Sequence, residues 1–230
     1  MLPNPLDAVL FDMDGLLVNT EVLYRDAILG EAEARGQPMP LDLFLQMIGL
    51  PAQASDALAK GHFGEDFDLD AFNAGVEQRV HARLAVEEVL KAGVVELLDL
   101  LDARNIRRAI VTSSSHTTVK VHLGRSKILP RFEAVIARGD YVHGKPAPDP
   151  YLRAVEIIGS KPDRCLALED SFNGVRAARA AGIATIMVPD LLAPTDEMRG
   201  LCIAVAQTLH DVHAAIANSP KAAELESARS

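Results

Sequence analysis

The chain predicts a doubly wound, parallel α/β sheet (a Rossmann-like core) with a helical module inserted after the first strand. Three observations carry that prediction. An apolar run of strand length, Ala8–Phe11, ends near the N-terminus in Asp12-Met13-Asp14-Gly15. Between Thr20 and Arg83 the apolar residues recur at helical spacing, and no convincing strand intervenes. From Val94 onward helix and strand patterns alternate with short links, which implies right-handed crossovers and a parallel sheet covered on both faces.

Taken in order, Ala8–Asp12 is the first strand. Leu23, Ala27, Ile28 and Ala32 then mark a helix that Gly36 and Pro38 close. Shorter helices follow at Leu41–Ile48, Ala52–Gly61 and Leu69–Leu84, separated by Gly and Pro. The alternating part reads as helix Val94–Arg104, strand Arg108–Thr112, helix Thr117–Ser126 and strand Ala134–Ala137. It continues as helix Tyr151–Ile158, strand Cys165–Asp170, helix Asn173–Ala181 and strand Ala184–Val188, with Gly182 placed to end the last helix. A helical insert has no room inside such a sheet and must stand apart from it. The expected organisation is therefore a core of residues 1–16 and 92–215, a helical domain of residues 17–91, and a tail at 216–230.

Composition narrows the function. The 230 residues are 49% hydrophobic, enough for a sizeable core. A net charge of -9 argues against nonspecific nucleic-acid binding and against an anionic membrane surface. It leaves room for anionic metabolites, because a metal and a lysine can reverse the field locally. Cys165 and Cys202 lie in apolar runs and offer neither a disulfide framework nor zinc spacing. No signal segment and no run of about 18 apolar residues is present. The expectation is a soluble, cytoplasmic protein, with nothing that demands more than a monomer.

Chemistry gathers at the strand ends, where ligands bind in open α/β sheets. The side-chain period of a strand is two, so Asp12 and Asp14 leave the backbone on the same side. Carboxylates held that close repel unless a cation sits between them. Such a pair suits a nucleophile and a general acid/base beside a metal, although an isolated Asp-x-Asp is more often a solvated loop. The next strand ends in Thr112-Ser113-Ser114-Ser115, the segment after the third carries Gly144-Lys145-Pro146, and the fourth ends in Glu169-Asp170. Together these are the groups phosphoryl transfer needs: a nucleophile, donors for phosphate oxygens, a fixed cation and metal-binding carboxylates. Any one alone is ordinary.

With those residues in place the chain resembles the haloacid dehalogenase superfamily, in the subgroup with a helical cap after the first strand. The likeness runs from about Ala8 to Pro189. Phe11-Asp12-Met13-Asp14-Gly15-Leu16-Leu17 is similar to the first family motif, Val111-Thr112-Ser113 to the second, and Gly144-Lys145-Pro146-Ala147-Pro148-Asp149 to the third. Leu168-Glu169-Asp170-Ser171, followed by Asn173-Gly174-Val175, is similar to the fourth.

The resemblance implies roles. Asp12 is the nucleophile that forms an aspartyl-phosphate. Asp14 is the general acid/base, and its main-chain carbonyl joins the metal site. Asp12 and Asp170 hold Mg²⁺, with Glu169 as a further ligand or immediately behind. Ser113, Ser114 and nearby amides bind the phosphoryl group, and Lys145 neutralises Asp12 and the phosphoryl oxygens. The cap closes to exclude water. Glu21 and Gln46 from the cap and His116 after the second motif are the candidate leaving-group contacts, with Tyr24 and Arg83 behind them. His62, His81 and His143 read as background.

Within the superfamily, Asp14 argues against dehalogenase chemistry, which lacks that carboxylate. Lys60, the only lysine within the cap proper, lies in a polar stretch ill suited to the Schiff base of the phosphonate-cleaving relatives. A β-phosphoglucomutase-type mutase needs cationic anchors that Gly49-Leu50-Pro51-Ala52-Gln53 and Ser115-His116-Thr117 do not supply. Asn19, where the subgroup often has aspartate, and Lys91-Ala92-Gly93, where it has proline-glycine, depart from the pattern outside the expected chemistry. A receiver-like regulatory phosphoprotein is the reading from another class. Receivers, however, carry the acidic pair and the acceptor on separate strands and have no such insert. The expected activity is hydrolysis of a small phosphorylated metabolite, a sugar phosphate before a nucleotide or a phosphoglycolate-like acid.

Overall fold

A computed structural model describes residues 1–47, 52–87, 89–190 and 192–220. It divides into two compact units, Met1–Asn19 with Val89–Ser230 and Thr20–Glu88.

The first unit is built on a six-stranded parallel sheet with order β3-β2-β1-β4-β5-β6. Its strands are β1 (Ala8–Phe11), β2 (Arg107–Val111), β3 (Ala134–Ile136), β4 (Cys165–Glu169), β5 (Ala184–Met187) and β6 (Ala204–Val205). β1 is central, and the chain builds outward from it in one direction through β2 and β3 and in the other through β4 to β6. The order therefore reverses between β1 and β4, which opens a crevice at their carboxyl ends.

Alternation along β1 shows how both faces are covered. Val9 and Phe11 join a core cluster that includes Leu97, Leu98 and Leu101 of α5 (Val94–Ala103) and Val119 and Leu123 of α6 (His116–Leu123). Ala8 and Leu10 join another, with Tyr151, Ala154 and Ile158 of α7 (Asp149–Ile158) and Ala177 and Ala178 of α8 (Phe172–Ala180). A strand buried on both sides has to be a continuous apolar run, which is why these strands were readable. Each fully buried Leu or Val contributes about 1.5–3 kcal/mol relative to exposure.

Several helix ends differ from expectation for local reasons. α6 begins at His116, one residue early, because the Ser115 hydroxyl accepts the Thr118 amide at 3.1 Å and caps it. It ends at Leu123 rather than Ser126. α7 begins at Asp149, with Pro150 in its first turn supplying a preset φ. The larger difference lies after Met187, where α9 (Asp196–Leu201), β6 and α10 (Leu209–Ala217) were not anticipated. β6 is a two-residue strand and leaves no periodic trace. α10 buries Leu209, Val212 and Ile216 beside α5.

Residue 216, where the tail was expected to begin, lies within α10. Ile216 is fully buried, and Arg104 donates from Nη1 to Ile216 O at 2.7 Å and to Ser219 O at 3.1 Å. These bonds satisfy carbonyls that a helix C-terminus otherwise leaves open.

After β1 the chain turns at Gly15, whose φ is +81°. Val18 then bridges to Asp14 on one side and to Leu90 on the other. Asn19 N donates to Val89 O at 2.8 Å and Lys91 N to Leu17 O at 2.9 Å, so the outgoing and returning chains run paired.

The second unit is helical: α1 (Thr20–Ala34), α2 (Leu41–Met47), α3 (Ala52–Phe63) and α4 (Leu69–Leu84). α4 buries Phe72, Val76, Val80 and Leu84, one residue per helical turn, and packs on α1. The two helices are tied by Glu31, which accepts from Arg35 and Arg79, each at 2.8 Å, and by Arg83 to Asp26 at 3.0 Å. Among the described residues no helix is long and apolar enough to cross a membrane.

Candidate active site

The carboxyl ends of β1, β2 and β4 and the loop before α7 bring Asp12, Lys145, Glu169 and Asp170 together. Asp12 N donates to Leu168 O at 3.0 Å, carrying the sheet ladder one residue past β1. Lys145 sits at the centre, its side chain only 5% exposed. Its Nζ donates to Asp12 Oδ1 at 2.5 Å, to Glu169 Oε1 at 2.5 Å and to Val111 O at 2.9 Å, using all three of its protons.

Glu169 and Asp170 are adjacent yet differently placed. Glu169 is fully buried and fully occupied. Besides Lys145 it accepts from Tyr151 Oη at 2.7 Å, from Ser171 Oγ at 3.0 Å and from Ser171 N at 3.3 Å. A Cβ at Gly174 would lie 1.9 Å from its carboxyl carbon, so this turn of α8 admits only glycine. Asp170 shows the opposite condition, because its Oδ1 is buried without a hydrogen-bond partner among the described residues. Its Oδ2 lies 2.1 Å from where a Gly15 Cβ would stand. Gly15 is thus required both by its positive φ and by the approach of Asp170.

Electrostatics sharpen the contrast. Burial pushes the Asp12 carboxyl up to about 8; Lys145 pulls against it, while Glu169 and Asp14 push with it. Asp170 is raised well above the usual carboxylate range by burial first, then by Asp12 and Glu169. Burial works against the Lys145 charge, but Asp12 and Glu169 outweigh it and hold the ammonium above its ordinary value. One buried ammonium thus faces three carboxyl groups. Oxygens of Asp12, Glu169 and Asp170 lie within 4.8 Å of one another, a grouping that fits a hard divalent cation. The unpartnered Asp170 oxygen and the uncompensated charge are the features of this site such an ion would satisfy.

Asp14 stands outside that cluster by its carboxylate. Oδ2 accepts from Ser114 Oγ at 2.7 Å and, more loosely, from Thr112 Oγ1 at 3.4 Å, while Oδ1 faces His122 Nδ1 at 3.2 Å. Ser114, expected to meet phosphate, therefore spends its hydroxyl on Asp14. Ser113 is exposed, and its carbonyl accepts from Arg138 Nε at 3.0 Å.

The remaining candidates meet partners of their own. His116 is exposed at the start of α6 and pairs with Asp140 at 2.9 Å. Gln46, exposed on α2, donates to Asp42 O at 3.2 Å in its own helix. Glu21 belongs to α1, but its side chain lies outside the described residues, as do residues 48–51, where one mutase anchor would stand. The sequence reading missed Tyr151, Ser171 and His122. His122 did leave a signal: it shares the buried face of α6 with Val119 and Leu123.

Comparison with known proteins agrees with this geometry. Residues 6–182 match the family model described as haloacid dehalogenase-like hydrolase. A Thermotoga maritima protein named phosphorylated carbohydrates phosphatase is 32% identical over 185 residues, covering 79% of this chain and 84% of that protein. A solved hydrolase of the family from Deinococcus radiodurans, with bound phosphate and sodium, has a TM-score of 0.77 at 26% identity, covering 93% of this chain and 96% of that one. The β-phosphoglucomutase of Clostridium difficile shares the fold at a TM-score of 0.69 and 17% identity, covering 90% of this chain and 93% of that one. Motif order, sheet topology and clustered strand-end residues converge on one conclusion: the chain belongs to the haloacid dehalogenase-like hydrolases and is an enzyme with phosphatases among its relatives.

Proposed function

We propose that this enzyme hydrolyses the phosphomonoester of a small phosphorylated carbohydrate through an aspartyl-phosphate on Asp12, with Mg²⁺ as cofactor. The observation that carries the reading is the buried Lys145 joined to Asp12 and Glu169 beside an Asp170 whose Oδ1 lacks a partner among the described residues. An Asp12 oxygen attacks phosphorus, and the bond from phosphorus to the ester oxygen breaks as Asp14 gives that oxygen a proton. Asp14 then takes a proton from water, whose oxygen attacks phosphorus and releases phosphate and free Asp12. Lys145 holds Asp12 in place and offsets charge on the phosphoryl oxygens. Ser113, exposed and next to Thr112, supplies a donor for those oxygens.

Asp12, Asp170 and the main-chain carbonyl of Asp14 are the groups assigned to the cation, with Glu169 behind them orienting Lys145. When bound, the cation supplies the positive charge that lets these carboxylates and a phosphate share one site. The helical unit is assigned as the cap domain. The carbohydrate class is supported by the name of the Thermotoga maritima relative.

Phosphate release from a panel of phosphorylated sugars, nucleotides and small acids tests this, with and without Mg²⁺. Release from sugar phosphates that EDTA abolishes is the expected result. Conversion of a sugar 1-phosphate to its 6-phosphate, with no phosphate released, would overturn it in favour of a mutase.

A second expectation does not depend on turnover. Asp12, at about 8 against an ordinary 3.8, keeps in the folded chain a proton that the unfolded chain has already lost between those values. Stability carried by that proton is complete below about pH 4 and is lost as pH rises through about 8. A cation held by the same oxygens makes good that loss, whereas at low pH it must displace protons. Mg²⁺ should therefore raise Tm more at about pH 9 than at about pH 5. Equal increments in a thermal melt would remove Asp12 from the cation site.

A further inference from the structure

We propose that His122 is a positioning residue for Asp14: its Nδ1–H, 3.2 Å from Asp14 Oδ1, sets the orientation of the carboxylate that handles the leaving-group proton. The inference rests on the reading of Asp14 as acid/base given above. The His122 side chain is 3% exposed, an unusual place for imidazole unless it has a task. It is anchored by its helix. Ser115 caps α6, and Val119 and Leu123 bury the same face in the core. Asp14 cannot donate as a carboxylate, so the facing nitrogen of the ring carries the hydrogen.

The two Asp14 oxygens are gripped from different elements. Ser114 Oγ, in the turn after β2, donates to Oδ2 at 2.7 Å, and His122, in the last turn of α6, faces Oδ1. The terminal torsion of an aspartate is broad and roughly two-fold. A single hydroxyl would leave the group free to pivot, whereas a second donor on the other oxygen fixes its plane. Proton transfer depends steeply on such placement, and a displacement of about 1 Å can cost roughly a hundredfold in rate.

Leu removes the donor at similar bulk. Asn presents its amide near the position of Nδ1, and Gln near that of Nε2. His122→Leu is expected to lower kcat/KM for an alkyl phosphate by about ten- to a hundredfold, with KM little changed. For p-nitrophenyl phosphate, whose leaving group departs without a proton, the loss in kcat/KM should be much smaller. His122→Asn should recover most of the activity and His122→Gln less. In an Asp14→Asn background, His122→Leu should cause no further loss, because the group it acts through is gone. Urea midpoints for each variant separate a folding defect, and if the Leu variant does not fold, the Asn and Gln order decides.

Equal losses on both phosphate esters, Gln recovering as much as Asn, or an undiminished loss in the Asp14→Asn background would overturn the proposal. An Asp14→Asn enzyme as active as the parent would instead overturn the acid/base reading on which it rests. Loss with Asp14→Asn but none with His122→Leu would remove His122 alone.

Discussion

Asp12→Asn is expected to abolish phosphate release, lowering kcat by about four to six orders of magnitude, the scale on which loss of an enzymic nucleophile is felt. Asparagine has the same shape and fits the same place, so the variant should fold. Its amide cannot attack phosphorus to give a stable ester, and it no longer provides an anionic oxygen 2.5 Å from Lys145 Nζ. Removing one of the three clustered carboxyl groups relieves repulsion around Glu169 and Asp170. The variant should therefore unfold at a urea concentration no lower than the parent in the absence of Mg²⁺. Trapping makes the mechanism visible. The parent, quenched in acid during turnover, should carry a phosphoryl group on the peptide containing Asp12, and the variant none. A phosphoryl group found elsewhere, or turnover surviving within tenfold of the parent, would refute the assignment of Asp12.

Lys145→Met should have the largest effect on stability. The residue is 5% exposed and bonded to Asp12 and Glu169, which are themselves nearly or fully buried. Methionine keeps much of the volume but strands two carboxyl groups without their cation. Breaking a buried pair from one side costs about 3–5 kcal/mol, against a total stability of only about 5–15 kcal/mol for a typical domain. Asp12 can soften the loss by holding a proton, being already pushed up to about 8. Without Lys145 that carboxyl is pushed higher still, so the deficit in urea unfolding should deepen as pH rises past about 8, where the parent loses the proton and the variant keeps it. Adding Glu169→Gln to Lys145→Met should restore part of the stability and none of the activity. A single variant as stable as the parent across that range would show that the ammonium does not hold this cluster together.

How much of this was legible depended on how local each cause was. Ala8–Phe11 could be read as a strand because a parallel strand covered on both faces must be apolar throughout. Asp12 could be read as its terminus because two carboxylates cannot continue such a run. The helical insert was legible for the converse reason, since Leu23, Ala27 and Ala32 repeat at the helical period. β6 was not, because two residues carry no period and Ala204–Val205 is a strand only by pairing with β5. α10 carries Leu209, Val212 and Ile216 at readable spacing, yet its full burial depends on packing beside α5 and on Arg104 holding its end.

The site divides along the same line. Sequence alone determined which residue types arrive at the carboxyl ends of the strands, because the length of each apolar run puts Asp12, Asp14, Glu169 and Asp170 at or just past its end. Only the tertiary structure decided what each meets. Glu169 and Asp170 are neighbours in the chain, but one is saturated by Lys145, Tyr151 and Ser171 while the other has a buried oxygen with no partner among the described residues. Ser113 and Ser114 are chemically identical, but only Ser114 turns its hydroxyl to Asp14. His122 reaches that same carboxylate across 108 residues of sequence. Chemical identity and strand register are written locally. The partner of a polar atom is set by which elements pack against one another, and that is a property of the folded chain.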